Sequence, residues 1–576
     1  MCGIYGITTS DQHFINDYMH ICKHRGPDGG SKIEIVNKKS GNTVTLGHNL
    51  LSIMAEPKKS LQPWRTPKGN TLIYNGEIFN YMELKEKYLA FKDTTGCDTE
   101  LLAWGLDKFG LKFIDEIDSM HGFAYYEPDK DTITLSRDHA GIKPLYYAEI
   151  KEGLVFGSEI KGMLDKVPGS RKLDNLACSM MTKAGTNPLR NTLFTNIKKI
   201  LPGETIVYNI ESKTLDYAKR IYLRPNADTG FNKNELKEMF SQAVRQCSIG
   251  QRKIGVFLSG GIDSSIIAYE LNQIQDTVHS FTNSITPNII ADEDYNSDSK
   301  VAKKFATSLN FNHHDVVVSP KEYLDAWDDS IWFMEQPIYN PSNAMYCYTN
   351  KYLADKEIIV TLAGDMGDEL FGGYSKYLEL YQSKDKPSTW RELLGLWIQR
   401  IRKGNYALTD DVVDDAELVD ELEKCYSEEL WNEDDPTASY MALDCVAQVP
   451  DCFLARNDSY GMAYGMEGRF PLASKKFMQY CLDIKSKHKL ENSTKDMVKR
   501  TYEKFLPEYI INKEKTGWTV PIGHWLMDNV DSGLTETYAQ EIGLARLKMQ
   551  GRSQKIGKRL MPEWQVKNWK EKYQIK

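Results

Sequence analysis

Ile254-Gly255-Val256-Phe257-Leu258-Ser259-Gly260-Gly261-Ile262-Asp263-Ser264-Ser265 decides the fold of the larger part of this chain. Its first five residues form a short continuous apolar run, the pattern of a strand buried on both faces in a parallel sheet. The turn that follows is not a Walker loop, because the GxxxxGK[ST] spacing is absent. Its two glycines let backbone N–H groups approach an anion closely, while the serines and a helix-like stretch from Ile266 to Leu271 add donors and a positive dipole end. Such a cradle suits phosphate. Asp263 inside it makes sense where Mg2+ bridges carboxylate and phosphate.

Working outward, Leu236 to Val244 reads as an amphipathic helix, and His279-Ser280-Phe281-Thr282, Asp315-Val316-Val317-Val318 and Ile358-Ile359-Val360-Thr361-Leu362 read as further strands with helical segments between them. That alternation predicts an open α/β parallel sheet. From about residue 375 the pattern is largely helical and rich in Trp and Tyr, ending in a basic helical tail from Arg546. Asp410 to Glu423 holds eight acids in fourteen residues and reads as a solvated face. Towards the amino terminus the texture is β-rich up to about residue 222, with Thr71-Leu72-Ile73-Tyr74, Thr132-Ile133-Thr134-Leu135 and Leu154-Val155-Phe156 set between turns, as in packed antiparallel sheets. A Pro, Asn, Asp and Gly segment beginning at Leu223 predicts a linker, so the expected domains are 1–222 and 233–576 with 223–232 between them.

Composition narrows the classes further. A chain of 576 residues that is 41% apolar and 11% aromatic is neither disordered nor fibrous. Lys+Arg 72 against Asp+Glu 80 gives a net charge of −8, so no global attraction for nucleic acid or anionic lipid is expected. Nowhere do about 18 apolar residues run uninterrupted, and the start at Met1-Cys2-Gly3 lacks the basic and apolar regions of a signal peptide. The ten cysteines form no CxxC pair and read as thiols of a reducing, cytoplasmic compartment.

One cysteine stands apart. Removal of Met1 would free the α-amine of Cys2, and an amine with a pKa near ~8 can take the proton of the neighbouring thiol without any histidine. Behind Cys2 follow, in order, His24-Arg25-Gly26-Pro27-Asp28, Asn75-Gly76-Glu77-Ile78-Phe79-Asn80, Cys97-Asp98-Thr99-Glu100 and Arg137 to Tyr147. With these motifs the chain resembles the class II glutamine amidotransferases, the amino-terminal-nucleophile glutaminases. The resemblance implies an α+β sandwich of αββα layering in which Cys2 attacks the glutamine side-chain amide. By the same resemblance the Asn75 side chain and the Gly76 N–H stabilise the oxyanion, Asp98 holds the substrate α-amine, and Leu51, Ile53 and Glu77 complete the glutamine site. His24 and His139 read as structural hydrogen-bonding residues. In Gly47-His48-Asn49-Leu50-Leu51-Ser52-Ile53, Leu50 stands where the family usually has the arginine that grips the glutamine carboxylate, leaving Arg25 or Arg65 as substitutes.

The loop at Ser259 resembles the pyrophosphatase-type ATP loop, and Gly364-Asp365-Met366-Gly367-Asp368-Glu369 resembles the acidic loop of glutamine-hydrolysing asparagine synthetases, a resemblance that extends over the whole chain. It implies ATP as a substrate bound by Leu258, Ser259, Gly260, Gly261, Asp263, Ser264, Ser265, Asn283, Gly364 and Asp365, with Mg2+ on Asp263 and Asp368. Asp365 would handle ammonia and the adenylate, and Lys515, in Lys513-Glu514-Lys515-Thr516-Gly517-Trp518, would neutralise the departing pyrophosphate. The implied reaction joins ammonia from glutamine to an adenylated aspartate side chain, giving asparagine, AMP and pyrophosphate. Met366 stands where glycine is usual, and Ala473-Ser474 where Asp is common. Glu335 to Asn343 lacks the threonines and arginine that some bacterial synthetases carry near the acceptor. Another carboxylate acceptor, or a non-catalytic nucleotide-binding relative, therefore stays open, as does a homodimer.

Overall fold

The structure is a computed structural model that describes residues 2–286, 295–337, 340–400, 408–514, 520–521, 525 and 553–576. Two six-stranded antiparallel sheets form its amino-terminal part. The first runs Lys198–Lys199, Tyr146–Ile150, Gly153–Gly157, Cys2–Ile7, Thr43–Leu50, Gly29–Val36, so the strand that opens the chain lies inside the sheet. The second runs Thr214–Arg220, Glu204–Asn209, Thr132–Arg137, Ser119–Glu127, Thr71–Ile78, Trp64–Arg65.

Strand alternation sets the layers. Ile4 and Ile73 share an apolar cluster with Leu46, Leu135 and Phe156 between the two sheets. Tyr5 and Ile7 instead pack outward with Ile15 and Tyr18 of the helix Gln12–Ile21 and Ala177 of Asn175–Ala184. Leu72 and Tyr74 pack outward on the other side, against Leu101 and Leu102 of Asp98–Phe109. The result is an αββα sandwich. Asn75 has the parity of Ile73, so its side chain leaves the strand on the face towards the other sheet, where Cys2 begins.

The third sheet is five-stranded and parallel throughout, in the order Asn312–Val318, His279–Ile285, Ile254–Phe257, Val360–Leu362, Glu467–Arg469. Ile254–Phe257 and Val360–Leu362 are direct neighbours, with Val256 opposite Leu362. The loops that follow them therefore leave the same carboxyl edge side by side, where open sheets bind ligands. Beyond residue 375 helices dominate. The acid-rich stretch forms the helix Asp415–Cys425, which buries Leu418, Val419 and Leu422 and turns Asp420 and Glu423 towards Arg391.

No helix or regular strand runs through 221–232, where Thr229 makes one isolated bridge to Ile484. The two parts of the chain meet over a continuous apolar contact. Leu51, Ile53, Met120, Ala140 and Ile142 belong to one buried cluster with Val256, Leu258, Leu362, Ala363 and Met366. Among the described residues no helix is long and apolar enough to cross a membrane.

Candidate active sites

Cys2 is buried, and its backbone N–H donates to Asn75 Oδ1 at 2.9 Å across 73 residues of sequence. That bond uses the amide oxygen of Asn75 and leaves Nδ2 buried without a partner. A buried amide N–H2 with no partner is costly unless something accepts from it, and an oxyanion formed beside Cys2 is such an acceptor. Burial pushes the Cys2 thiol up, while a hydrogen bond from the Leu51 backbone lowers it in part. Thiolate formation therefore needs a base close by.

Asp98 lies at the start of its helix and accepts from Ile78 N at 2.9 Å and the Tyr74 hydroxyl at 3.0 Å. Burial raises its carboxyl despite both bonds. Glu77, one turn of the strand from Asn75, faces Arg469 of the third sheet, with Oε2 3.3 Å from Nη2. Ile53 is buried, and its carbonyl accepts from Gln251 N at 3.0 Å.

Leu50 ends its strand opposite Cys2 and is buried. Arg25 does not take the role of the missing arginine, because all three of its nitrogens are committed. Nε donates to Cys2 O at 3.2 Å, Nη1 to Glu159 Oε1 at 3.1 Å and Nη2 to Asp458 Oδ2 at 2.9 Å. Arg65 lies on the edge strand Trp64–Arg65 and is exposed. Around Arg25 a buried ionic network crosses between the two parts of the chain. Lys143 Nζ is 3.4 Å from Asp458 Oδ1, and Lys161 pairs with both Glu159 and Glu335. Burial alone would raise the Glu159 carboxyl, but His24, Lys161 and Arg25 outweigh it and hold it well below the usual range. Glu335 receives Ile160 N at 2.9 Å and Lys161 N at 2.8 Å, and it keeps a left-handed φ of 59° at the end of the helix Pro320–Met334. His24 sits against Glu159 at 2.9 Å, and His139 Nε2 meets the Ala473 carbonyl at 2.9 Å.

The second site forms where the two adjacent loops leave the parallel sheet. Gly260 turns at φ +73°, and Gly261 precedes the helix Ile262–Asn272, whose first turn no side chain caps. Ser264 Oγ bonds Ser259 N at 3.2 Å, Ser259 Oγ at 3.0 Å and Gly261 O at 3.1 Å, holding the loop closed on itself. Ser265 is fully buried, with a hydroxyl that meets no partner. An uncapped helix start beside a self-braced turn is the geometry that accepts phosphate oxygens.

Asp263 of this loop and Asp368 of the next converge on one cation. Lys495 Nζ bonds Asp263 Oδ2 and lies 2.7 Å from Asp368 Oδ1. Burial opposes the charge on Lys495, but the two carboxylates outweigh it and raise its pKa. Gly373 has to be glycine for this to close, since a Cβ there would stand 2.0 Å from Asp368 Oδ1 and 2.4 Å from Lys495 Cε. Lys495 itself holds a left-handed φ of 60°, and Met366, between Asp365 and Asp368, one of 81°. Asp365 Oδ2 accepts from Asn457 Nδ2 at 3.2 Å, and Arg456 Nη2 lies 3.9 Å from Oδ1. Asn283 is turned into the helix Asn343–Asp355, where it bonds Thr349 Oγ1.

Sequence reading picked out the two loops that the fold sets side by side, and did not pick out Lys495, Arg456 or Asn457 beside them. Lys495 had no local signal, being one lysine among many until the fold brings it to Asp263 across 232 residues. Lys515 lies outside the described residues. Asp263 and Asp368 offer hard oxygen donors close enough to share a cation, which fits Mg2+ held jointly with a nucleotide rather than in an all-protein cage. Among the described residues no cluster of three or more His, Cys, Asp or Glu could hold a metal alone.

Comparison with known proteins identifies the family. Residues 235–574 match the asparagine synthase family, and residues 1–221 match the glutamine amidotransferase domain. Asparagine synthetase [glutamine-hydrolyzing] 1 of Bacillus subtilis is 26% identical over 92% of this chain and 89% of its own length. Asparagine synthetase B [glutamine-hydrolyzing] of Escherichia coli is 24% identical over 94% of this chain and 85% of its own. Among solved structures, the allosteric regulatory enzyme of purine biosynthesis is 14% identical with a TM-score of 0.30, covering 55% of this chain and 80% of that one, a likeness too loose to carry an argument. With one family match spanning most of the chain and the other lying on the part that holds Cys2, the chain belongs to the asparagine synthase family.

Proposed function

We propose that the chain is an ATP-dependent, glutamine-hydrolysing asparagine synthetase divided into a glutaminase, 1–222, and a synthetase, 233–576, by the segment 223–232. The observation that carries the reading is the Asn75 amide fixed against Cys2 with its N–H2 buried and unpaired, which is an acyl-transfer site in search of an oxyanion.

With Met1 removed, the Cys2 α-amine takes the thiol proton and the thiolate attacks the side-chain carbonyl of glutamine. Asn75 Nδ2 and the Gly76 N–H receive the negative oxygen, and Asp98 holds the substrate ammonium. Collapse releases ammonia and leaves a thioester that water hydrolyses to glutamate. The apolar cluster joining Leu51, Met120 and Ile142 to Leu258, Ala363 and Met366 supports passage of neutral ammonia rather than ammonium between the sites.

In the synthetase, the turn Ser259 to Ser265 holds the ATP phosphates at the uncapped helix start. The side-chain carboxylate of aspartate attacks the α-phosphorus, and pyrophosphate leaves. Lys495 is placed to neutralise charge that develops between Asp263 and Asp368. Mg2+, held by the same two carboxylates, would supply further charge neutralisation at the phosphates. Ammonia then attacks the adenylated carbonyl, giving asparagine and AMP, with Asp365 at hand to take a proton. A carboxylate is a poor acyl donor until its oxygen leaves as AMP, which is why ATP is needed.

Replacing Cys2 by Ala tests the two-site reading. Glutamine-dependent amide formation should vanish while ammonia-dependent formation persists, and equal loss of both would sink it. The absence of threonine and arginine from Glu335 to Asn343 favours one second reading, an acceptor acid other than aspartate. Acceptor-dependent pyrophosphate release from ATP across a panel of carboxylic acids separates the two.

A further inference from the structure

Among the described buried arginines, Arg25 and Arg137 are saturated, while Arg469 keeps its Nη2 3.3 Å from Glu77. Arg25 makes three hydrogen bonds to protein oxygens, and Arg137 donates to Lys143 O at 2.7 Å, Ile200 O at 2.9 Å and Gly141 O at 2.6 Å. Arg456 is different. Its side chain is 12% exposed, its Nε is buried without a partner, and its ion pair with Asp365 spans 3.9 Å, beyond hydrogen-bond length. Its guanidinium lies over two aromatic faces, 4.9 Å from the Tyr346 centroid and 5.6 Å from Phe453. Stacking of this kind holds the plane of the fork in place while leaving its N–H edge for another acceptor. A desolvated guanidinium with so few hydrogen bonds is expensive unless an anion completes it.

The neighbours say which anion. The phosphate cradle already has its own cation, since Lys495 stands between Asp263 and Asp368. Arg456 instead sits beside Asp365, which its neighbour Asn457 holds through Oδ2. Tyr346, under the guanidinium, is itself fixed by a bond to Asn457 Oδ1 and stacks on Phe257, the last residue of the strand that leads into the nucleotide turn. A guanidinium held on aromatic walls 3.9 Å from Asp365, the carboxylate at the reacting end, matches a second acidic group a few bonds away from the one that reacts.

Resting on the synthetase reading above, we propose that Arg456 binds a second, non-reacting carboxylate of the acceptor, so that this site selects acids carrying two acidic groups, α-amino dicarboxylates foremost. Arg456 then supplies the cation that the segment from Glu335 to Asn343 lacks. It is a specificity residue. It touches the part of the substrate that does not react.

The test uses the full chain with ammonia as nitrogen source, so that Cys2 is not involved, and reads pyrophosphate release from ATP. The acceptors are aspartate and its α-carboxamide, which keeps the reacting side-chain carboxylate and removes the second charge. For the wild type, kcat/KM should favour aspartate by about 10- to 100-fold, the range of a charge-assisted hydrogen bond. Arg456→Gln should lose that factor on aspartate alone, leaving the carboxamide and the KM for ATP unchanged, and Arg456→Lys should recover part of it. Equal loss on both acceptors, or a matching rise in the KM for ATP, overturns the assignment in favour of a structural or phosphate-binding role. If aspartate gives no turnover with the wild type, the functional reading fails. The same variants are then run with the acid that does stimulate, and a stimulating acid with a single acidic group overturns the role of Arg456.

Discussion

Met366 holds a left-handed backbone conformation, φ 81°, with its side chain 1% exposed in the cluster that joins the two parts of the chain. The two facts act in opposite directions when the residue is replaced. Removing the side chain costs about 2 to 5 kcal/mol, the usual loss for a buried methionine cut to alanine. A Cβ in the left-handed region costs about 1 to 2 kcal/mol, which only glycine avoids. Glycine in turn loses about 0.5 to 1 kcal/mol more chain entropy on folding than alanine. Met366→Gly should therefore be more stable than Met366→Ala by about 0 to 1.5 kcal/mol, although both fall below the wild type. At an ordinary right-handed position the order is the reverse, so the sign alone is diagnostic. Urea midpoints at constant slope for the three proteins measure it. Alanine more stable than glycine would refute the reasoning. Because Met366 separates Asp365 from Asp368, the glycine variant should also retain more ammonia-dependent turnover than the alanine variant.

Asn75→Ala removes the proposed oxyanion donor and the partner of Cys2 N, so glutamine-dependent kcat should fall about 10²- to 10³-fold with ammonia-dependent turnover unchanged; a loss under tenfold would remove Asn75 from the chemistry. Burial, with Lys475 nearby, lowers His139 from 6.5 to about 4, so the folded protein keeps this ring neutral while the unfolded chain takes up a proton below pH 6.5. Its folded pKa is the lower one, so stability is lost as pH falls, by about 2 kcal/mol at pH 5 from this group. His139→Gln should flatten the fall in unfolding free energy between pH 7 and pH 5, and an unaltered slope would show that the ring does not titrate as described.

What the sequence reveals follows how local each signal is. The strand, turn and helix around Ser259 lie within a dozen residues, and their apolar run, glycines and serines are readable as a strand-turn-helix unit without tertiary help. The acidic loop is equally local, and its place beside the first loop follows from adjacent parallel strands. Lys495 and Arg456 are opposite cases. A lysine or arginine is usually solvated, and nothing in its neighbours tells that one will be buried between two aspartates and the other stacked on Tyr346. Arg25 shows the same limit, since its motif was legible while its commitment to Cys2, Glu159 and Asp458 was not. Nor could the motif at Asn75 say which end of the amide faces Cys2.

The ionic network around Arg25 has a consequence for exchanging parts between relatives. Arg25, Lys143 and Lys161 lie in the glutaminase, and their partners Asp458 and Glu335 lie in the synthetase, all of them buried. A glutaminase transplanted from another protein would have to present the same cations at the same depth. Where it did not, each abandoned carboxylate would cost about 3 to 5 kcal/mol, the penalty for a buried ion that has lost its partner. Compatibility between the halves is thus written in charge as well as in shape, and a chimaera that matched every apolar contact could still fail to assemble.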